Sequence, residues 1–330
     1  MNAVQGLRRA VLSVGLIACS TIALAAAHSA FAQEWPSRNV TVVVPLGAGT
    51  ASDVAARVVF EQVGKQAGQT FVIENRPGAG GTTGANAVAK AAPDGHTVLA
   101  YGAMAGSAAL YSKLPYDPLD DFLPVTSLGQ QPLAVVVSPA RGWKALGDLV
   151  AEGKAKPGTL NYGSAGIGSA SHFGAERLRV SAGFEAQQIA FRGVEALTEI
   201  IGGRVDFSVQ PFQNTLALIR DGKLAALAIS ANKRVAALPD VPTTIEAGLP
   251  PDSVYPFYTG IYLPAKTPPH IAAKLHDEIA KALGTPAVKE RLAGLGIESS
   301  PMTMEQFGTF FRDDVAANVA LVKAAKIPTQ

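Results

Sequence analysis

The chain has 330 residues, with 28 Lys and Arg against 26 Asp and Glu, and one cysteine, Cys19. So even a balance of charge excludes an electrostatic nucleic-acid or membrane patch, and a lone thiol excludes an internal disulfide framework. The length favours two domains over one, because single cores stop growing at about 250–300 residues.

Arg8 and Arg9 precede a charge-free run from Ala10 to Ala27, and the small-residue pattern Ala30-Phe31-Ala32 follows. This layout predicts a secretory signal peptide over residues 1–32 and a periplasmic mature protein. As a retained anchor the run is marginal for a bilayer core of ~30 Å. Two variants stay open. Leu16-Ile17-Ala18-Cys19 looks like a lipobox that would place a lipid on Cys19, and Arg8-Arg9 resembles a twin-arginine start. A cut after Ala32 removes Cys19 and lowers Lys plus Arg from 28 to 26, against an unchanged 26 Asp plus Glu.

Strand and helix patterns then alternate. Apolar runs predict strands at Val40–Pro45, Phe71–Glu74, Thr97–Tyr101, Leu133–Ser138, Thr159–Tyr162, Gln188–Phe191, Arg204–Val209 and Leu224–Ser230. Helical periodicity fits Asp53–Gln66, Thr83–Ala91, Ala145–Glu152, Ser171–Ala182, Val194–Ile201 and Thr215–Asp221. Continuous Val, Ile and Leu runs separated by helices predict an α/β fold with parallel sheets covered on both faces. Ile271, Leu275, Ile279 and Leu283 mark a further helix, and another is expected from Met304 to Lys323. These last helices lack intervening strands, as in a cap folded back on an earlier domain. The expected lobes are residues 33–132 with 252–330, and residues 133–251, joined by two crossovers that make a hinge.

Two glycine- and hydroxyl-rich loops each lie between an apolar strand and a helix: Val42–Arg57 and Leu160–Leu178. A turn that presents backbone N–H groups at a helix start is an anion site. Thr50-x-x-Asp53 fits a capping box, which is also all that helix capping requires. Ser169 is the expected N-cap of the second helix, and His172 in its first turn is either a neutral donor or a capped-helix surface residue. Asp206 and Gln210 fall where a strand would deliver them to a cleft. Arg76–Gly84 superficially resembles a dinucleotide fingerprint. Its G-x-G-x-x-x-G spacing and the Pro-Asp-Gly setting of Asp94 argue against it. No G-x-S-x-G elbow is present, and His96, His172, His270 and His276 have no metal-ligand spacing. No cofactor and no metal are expected.

The chain resembles the Bug family of extracytoplasmic solute receptors, which serve tripartite tricarboxylate transporters. The motifs that carry the resemblance are Glu74–Gly81, Pro93-Asp94-Gly95, Leu114–Asp117, Pro157-Gly158, Leu160–Ser164, Gly222-Lys223-Leu224, Leu227-Ala228, Leu238–Thr243 and Glu246-Ala247-Gly248. The resemblance implies a type II periplasmic-binding-protein fold, with two α/β lobes, a hinge and a ligand cleft between them. It also implies carboxylates held by backbone N–H groups, hydroxyls and water. The family's usual first loop, P-F-x-P-G-G-G-T-D, is altered here. Leu46 stands in place of an aromatic residue, and Thr50 and Ala51 replace glycines, which stiffens the loop. Further along, Ala190–Gly193 replaces P-Y-K-G, and Tyr258 stands for a frequent Trp.

The function expected is therefore a monomeric, non-enzymatic receptor for a small organic anion. In it Asp53 caps the first helix; Thr50, Ser52, Ser164 and Ser169 give hydroxyl contacts; Gly49, Ala165, Gly166 and Gly168 give N–H groups; Tyr101, Ser107, Asp206 and Gln210 form walls. Its partners would be permease subunits or a sensor protein, with no nucleic acid. A secreted hydrolase would need Ser164 and His172 as nucleophile and base.

Overall fold

The computed structural model describes residues 35–330 except Ser112, Arg192, Pro256, Ser300, Pro328 and Gln330. The expected signal peptide, and with it Cys19 of the lipobox alternative, lies outside the described residues. Arg38–Gln330 make up one compact unit.

The architecture is α/β, built on two five-stranded sheets. The first begins with β1 (Val40–Val44), an almost all-valine strand buried at its centre. Helix α1 (Ala51–Ala67) follows and stops at Gly68, whose φ of 64° only glycine adopts freely. Then come β2 (Phe71–Asn75), α2 (Thr82–Ala89), β3 (Thr97–Tyr101) and α3 (Met104–Leu110). Strand β4 (Phe122–Gln131) runs to the crossover, and β10 (Phe257–Pro264) returns later, giving the order β2-β1-β3-β10-β4.

A single residue, Pro132, separates β4 from β5 (Leu133–Val137), the first strand of the second sheet. Proline has no N–H to continue a ladder, so the chain leaves one sheet and enters the other there. The second sheet continues with α4 (Leu146–Ala155), β6 (Leu160–Ser164), α5 (Ala170–Ala182), β7 (Ala186–Ala190), α6 (Glu195–Ile201), β8 (Phe207–Pro211), α7 (Phe212–Arg220) and β9 (Ala225–Ser230). Its order is β7-β6-β8-β5-β9.

The expectation of purely parallel sheets is corrected. Strands β1, β2 and β3 are parallel, as are β6, β7 and β8, but β5 runs antiparallel to β8 and β9. Likewise β10 is antiparallel to β3 and β4. The antiparallel strands flank the crossovers, where the chain enters each sheet from the other rather than through a βαβ unit. Sequence patterning passed over β4 because Pro124 and Gly129 interrupt it. An edge strand tolerates both.

Helices α8 (Pro269–Gly284), α9 (Pro286–Gly294) and α10 (Met304–Ala324) complete the chain. Phe307 and Phe311 of α10 pack on Tyr262 of the first sheet, with ring centroids 5.5 and 5.2 Å apart. At the other end of α10, Leu321 and Val322 join the core of the second sheet, and Arg179 donates to the Ala325 carbonyl at 3.1 Å. The expected cap thus laces both sheets together. No helix among the described residues is long and apolar enough to cross a membrane.

Candidate functional site between the two sheets

The first loop is held from behind by one buried carboxylate. Asp53, its side chain 3% exposed, accepts from the Gly49 N–H at 2.9 Å, Asn75 Nδ2 at 3.0 Å and Arg57 Nε at 3.0 Å. Asn75 Nδ2 also donates to the Leu46 carbonyl at 3.0 Å, so both ends of the loop are tied to β2. Burial alone would raise the Asp53 carboxyl. The Arg57 guanidinium, the Gly49 N–H and the Asn75 amide outweigh it and hold the group below its ordinary range.

This corrects the capping box. The Thr50 hydroxyl donates to the Gly47 carbonyl at 2.8 Å and makes no cap bond, and Asp53 reaches the Gly49 N–H instead of the Thr50 N–H. The first N–H groups of α1, at Ala51 and Ser52, consequently have no acceptor among the described residues.

The second loop uses up most of its own donors. The Ala165 N–H goes to Ser171 Oγ at 2.8 Å, the Gly166 N–H to Ser164 Oγ at 3.3 Å and the Gly168 N–H to His172 Nδ1 at 3.2 Å. Ser169 is the N-cap, accepting from the His172 N–H at 3.3 Å and donating to the Gly166 carbonyl at 2.7 Å. The expectation that Ala165, Gly166 and Gly168 supply free N–H groups is therefore corrected: among the described residues the loop's N–H groups without an acceptor are those of Ile167, Ala170 and Ser171, the last two in the first turn of α5.

A third helix start comes directly off a strand. Strand β8 ends at Pro211 and α7 begins at the next residue. The Phe212 N–H bonds the Pro132 carbonyl at 3.0 Å, anchoring this junction at the crossover. Among the described residues nothing accepts from the Gln213 or Asn214 N–H.

All three helix starts border one narrow cavity of about 30 Å³. Leu46, Thr50, Ala51 and Ser52 form one side, and Ala165, Ser169, Ala170 and Ser171 face them. Gln210, Pro211 and Asn214 close one end, with Gly193, Val194, Ala103 and Phe257 completing the wall. No Asp, Glu, Lys or Arg is among the described lining residues. Three helix dipoles and unpartnered N–H groups give the space a positive potential without a positive side chain.

Of the residues singled out in the sequence, Thr50, Ser52, Ala165, Ser169 and Gln210 line this cavity. The others lie elsewhere. Gly49 is exposed on the outer side of the loop, and Asp53 is buried behind it. Tyr101 and Ser107 bond each other at 2.9 Å, and the Tyr101 hydroxyl donates to the Gly80 carbonyl, so both are spent on a structural contact. Ser164 lies beneath its loop, accepting from Gln188 Nε2 at 2.7 Å. Gly166 and Gly168, with φ of 110° and 83°, make the turn itself. Asp206 precedes β8 at the end away from the cavity, where it accepts from the Asn161 N–H at 2.7 Å and from Arg141. The strand direction delivers Gln210 to the cavity and leaves Asp206 at the opposite edge.

Ala51, Ala170, Ser171 and Asn214 were not foreseen. The first three could have been found as the residues immediately after each expected N-cap. Asn214 had no such signal, since no loop separates β8 from α7.

His172 is a buried support of the second loop rather than a surface residue. Because Nδ1 accepts from Gly168, the neutral ring carries its proton on Nε2. Burial pushes the imidazole down to about 4 from 6.5, against a smaller upward pull from Glu176. A base whose folded value is depressed loses stability as pH falls between those values, because the unfolded chain takes the proton first. The expected loss is about 3 kcal/mol between pH 6.5 and 4. Urea titrations of the parent and His172→Asn across this range will check it. The parent should lose stability by that much more than the variant, and equal losses would refute the assignment.

A family model for the tripartite tricarboxylate transporter family receptor matches residues 55–327. Protein BugT from Bordetella pertussis is 33% identical over 317 residues, covering 95% of this chain and 96% of BugT. The solved structure of MatC from Rhodopseudomonas palustris with bound malate is 33% identical with a TM-score of 0.82, and covers 87% of this chain and 100% of MatC. A second structure from that organism, with adipate, is 28% identical with a TM-score of 0.85, over 90% of this chain and 100% of its own.

Proposed function

We propose, given that the chain belongs to the tripartite tricarboxylate transporter receptor family, that it captures a small carboxylate in the cavity between its sheets. The observation that carries this reading is the convergence of unpartnered N–H groups from α1, α5 and α7 on a space with no charged lining side chain among the described residues. Ala51, Ser52, Ala170 and Ser171 would donate N–H groups, with the Ser52 hydroxyl beside them. Micromolar affinity needs about 8 kcal/mol. A hydrogen bond to a charged group contributes roughly 1.5–3 kcal/mol, so four such donors reach that figure without a buried cation.

In this reading the first lobe comprises residues 33–132 with 252–330, and the second comprises residues 133–251, with the two crossovers as the hinge. The receptor works in the periplasm, released by its signal peptide, and presents the closed, loaded form to the membrane subunits of a tripartite transporter. The bound anion leaves unchanged. A thermal-shift panel of mono-, di- and tricarboxylates tests it: stabilisation by at least one class is expected. No response to any at millimolar concentration would refute it.

Closure itself can be perturbed without touching the cavity. A Cβ on Gly80 would sit 2.5 Å from the Ile167 carbonyl oxygen and 2.9 Å from the Tyr111 hydroxyl, wedging the Ala79–Gly81 turn against the second loop. Gly80→Ala is expected to weaken carboxylate binding about tenfold, a penalty of roughly 1.4 kcal/mol on the closed form. Calorimetric titration checks this, and an unchanged affinity would show that the contact does not govern closure.

A further inference from the structure

We infer that the ligand is a monocarboxylate with an apolar tail, whose tail lies in a groove outside the inner cavity; this rests on the reading of that cavity as the carboxylate site. A groove of about 370 Å³ adjoins the cavity and shares Val194 and Asn214 with it. One of its walls comes from Val54 of α1 and Leu295 beyond α9, and the other from Leu197, Ile201 and Leu218 of α6 and α7. It therefore spans the same two halves that hold the anion.

The groove is unusually apolar for an open surface. Val194 and Ile201 are 41% and 40% exposed, among the few large aliphatic side chains of the described residues left so open. Its polar lining is limited to Gly49, Thr198, Gln213 and Asn214, and none of the described lining residues carries a charge. A second carboxylate would find no cation among the described lining residues there. Among these aliphatic side chains it would lose its hydration without a charged partner in return. An aliphatic or aryl tail, by contrast, covers Val54, Ile201, Leu218 and Leu295 and gains from their removal from water. Val194 and Asn214, which line both groove and cavity, set the two side by side, within reach of one molecule.

Calorimetric titration of the purified protein with butyrate, hexanoate, octanoate and adipate tests the inference. Each methylene that becomes buried should tighten binding roughly fourfold, so affinity should climb from butyrate to octanoate. Adipate, which ends in a second carboxylate, should bind at least tenfold more weakly than hexanoate. Ile201→Asp and Leu218→Gln, both on the groove and outside the inner cavity, should each cost octanoate at least tenfold while leaving butyrate within twofold. Equal affinities for butyrate and octanoate, or adipate binding as tightly as hexanoate, would overturn the tail subsite and leave the carboxylate reading standing. Failure of all four to bind, while another carboxylate of the thermal-shift panel does bind, would also overturn the tail subsite; failure of the whole panel would overturn the carboxylate reading on which it rests.

Discussion

Ala170→Asp is expected to abolish carboxylate binding while leaving the protein folded. Ala170 is the first residue of α5 and lines the cavity, next to the N-cap Ser169. An acidic side chain in a helix's first turn is favourable, by about 0.3–1 kcal/mol, so the helix does not suffer. Its carboxylate, however, occupies the place of the ligand's own and meets the same N–H groups. Two negative charges about 4.5 Å apart repel by about 4 kcal/mol at an effective dielectric of about 20, which is several hundredfold in affinity. Ala170→Asn adds nearly the same bulk without the charge and should bind far better than the aspartate variant. If the two variants bind equally poorly, bulk rather than charge explains the loss, and an anion site at α5 is not supported.

Asp53→Ala is expected to lower stability by about 3 kcal/mol and to weaken ligand binding at least tenfold. The carboxylate is the common acceptor for the Gly49 N–H and the Asn75 amide. Removing it loses two hydrogen bonds to a charged group, roughly 1.5–3 kcal/mol each, less what water returns to the exposed Gly49 N–H. Arg57 adds little to that sum, because half of its side chain is exposed and re-solvates. The depressed carboxyl stabilises the fold above its unfolded value of 3.8, and that contribution disappears as pH falls through the lower folded value. The difference between parent and variant should therefore be full at pH 7 and shrink in strong acid. Denaturant melts at several pH values measure it. A variant as stable as the parent at pH 7 would show that the loop does not depend on Asp53.

Much of this was legible from local pattern. The valines of β1 and the glycine-rich turns announced strand, loop and helix in the right order, and both N-cap positions, Thr50 and Ser169, are where the sequence placed them. What could not be read was set by register between distant segments. Asn75 reaches Asp53 only because β1 and β2 pair in parallel with Val44 opposite Asn75, and nothing in either segment alone states that register. Similarly, the donors of Gly166 and Gly168 looked available because their acceptors, Ser164 and His172, bond them only once the turn has closed. Asp206 was misplaced for a different reason. A charged residue near a strand looks like a site residue until the strand's direction assigns it to one end of the sheet. Strand β4 was hidden by Pro124 and Gly129, and with it the antiparallel pairing around the crossover.

In the proposed site an anion is held by backbone N–H groups at helix starts rather than by a cation. An amide-resolved NMR titration of the nitrogen-15-labelled protein with hexanoate reports on those donors one by one. Large downfield shifts are expected at the Ala51, Ser52, Ala170 and Ser171 amides, saturating together with the calorimetric isotherm. Saturable binding of hexanoate that leaves those four amides unmoved would contradict the proposed site.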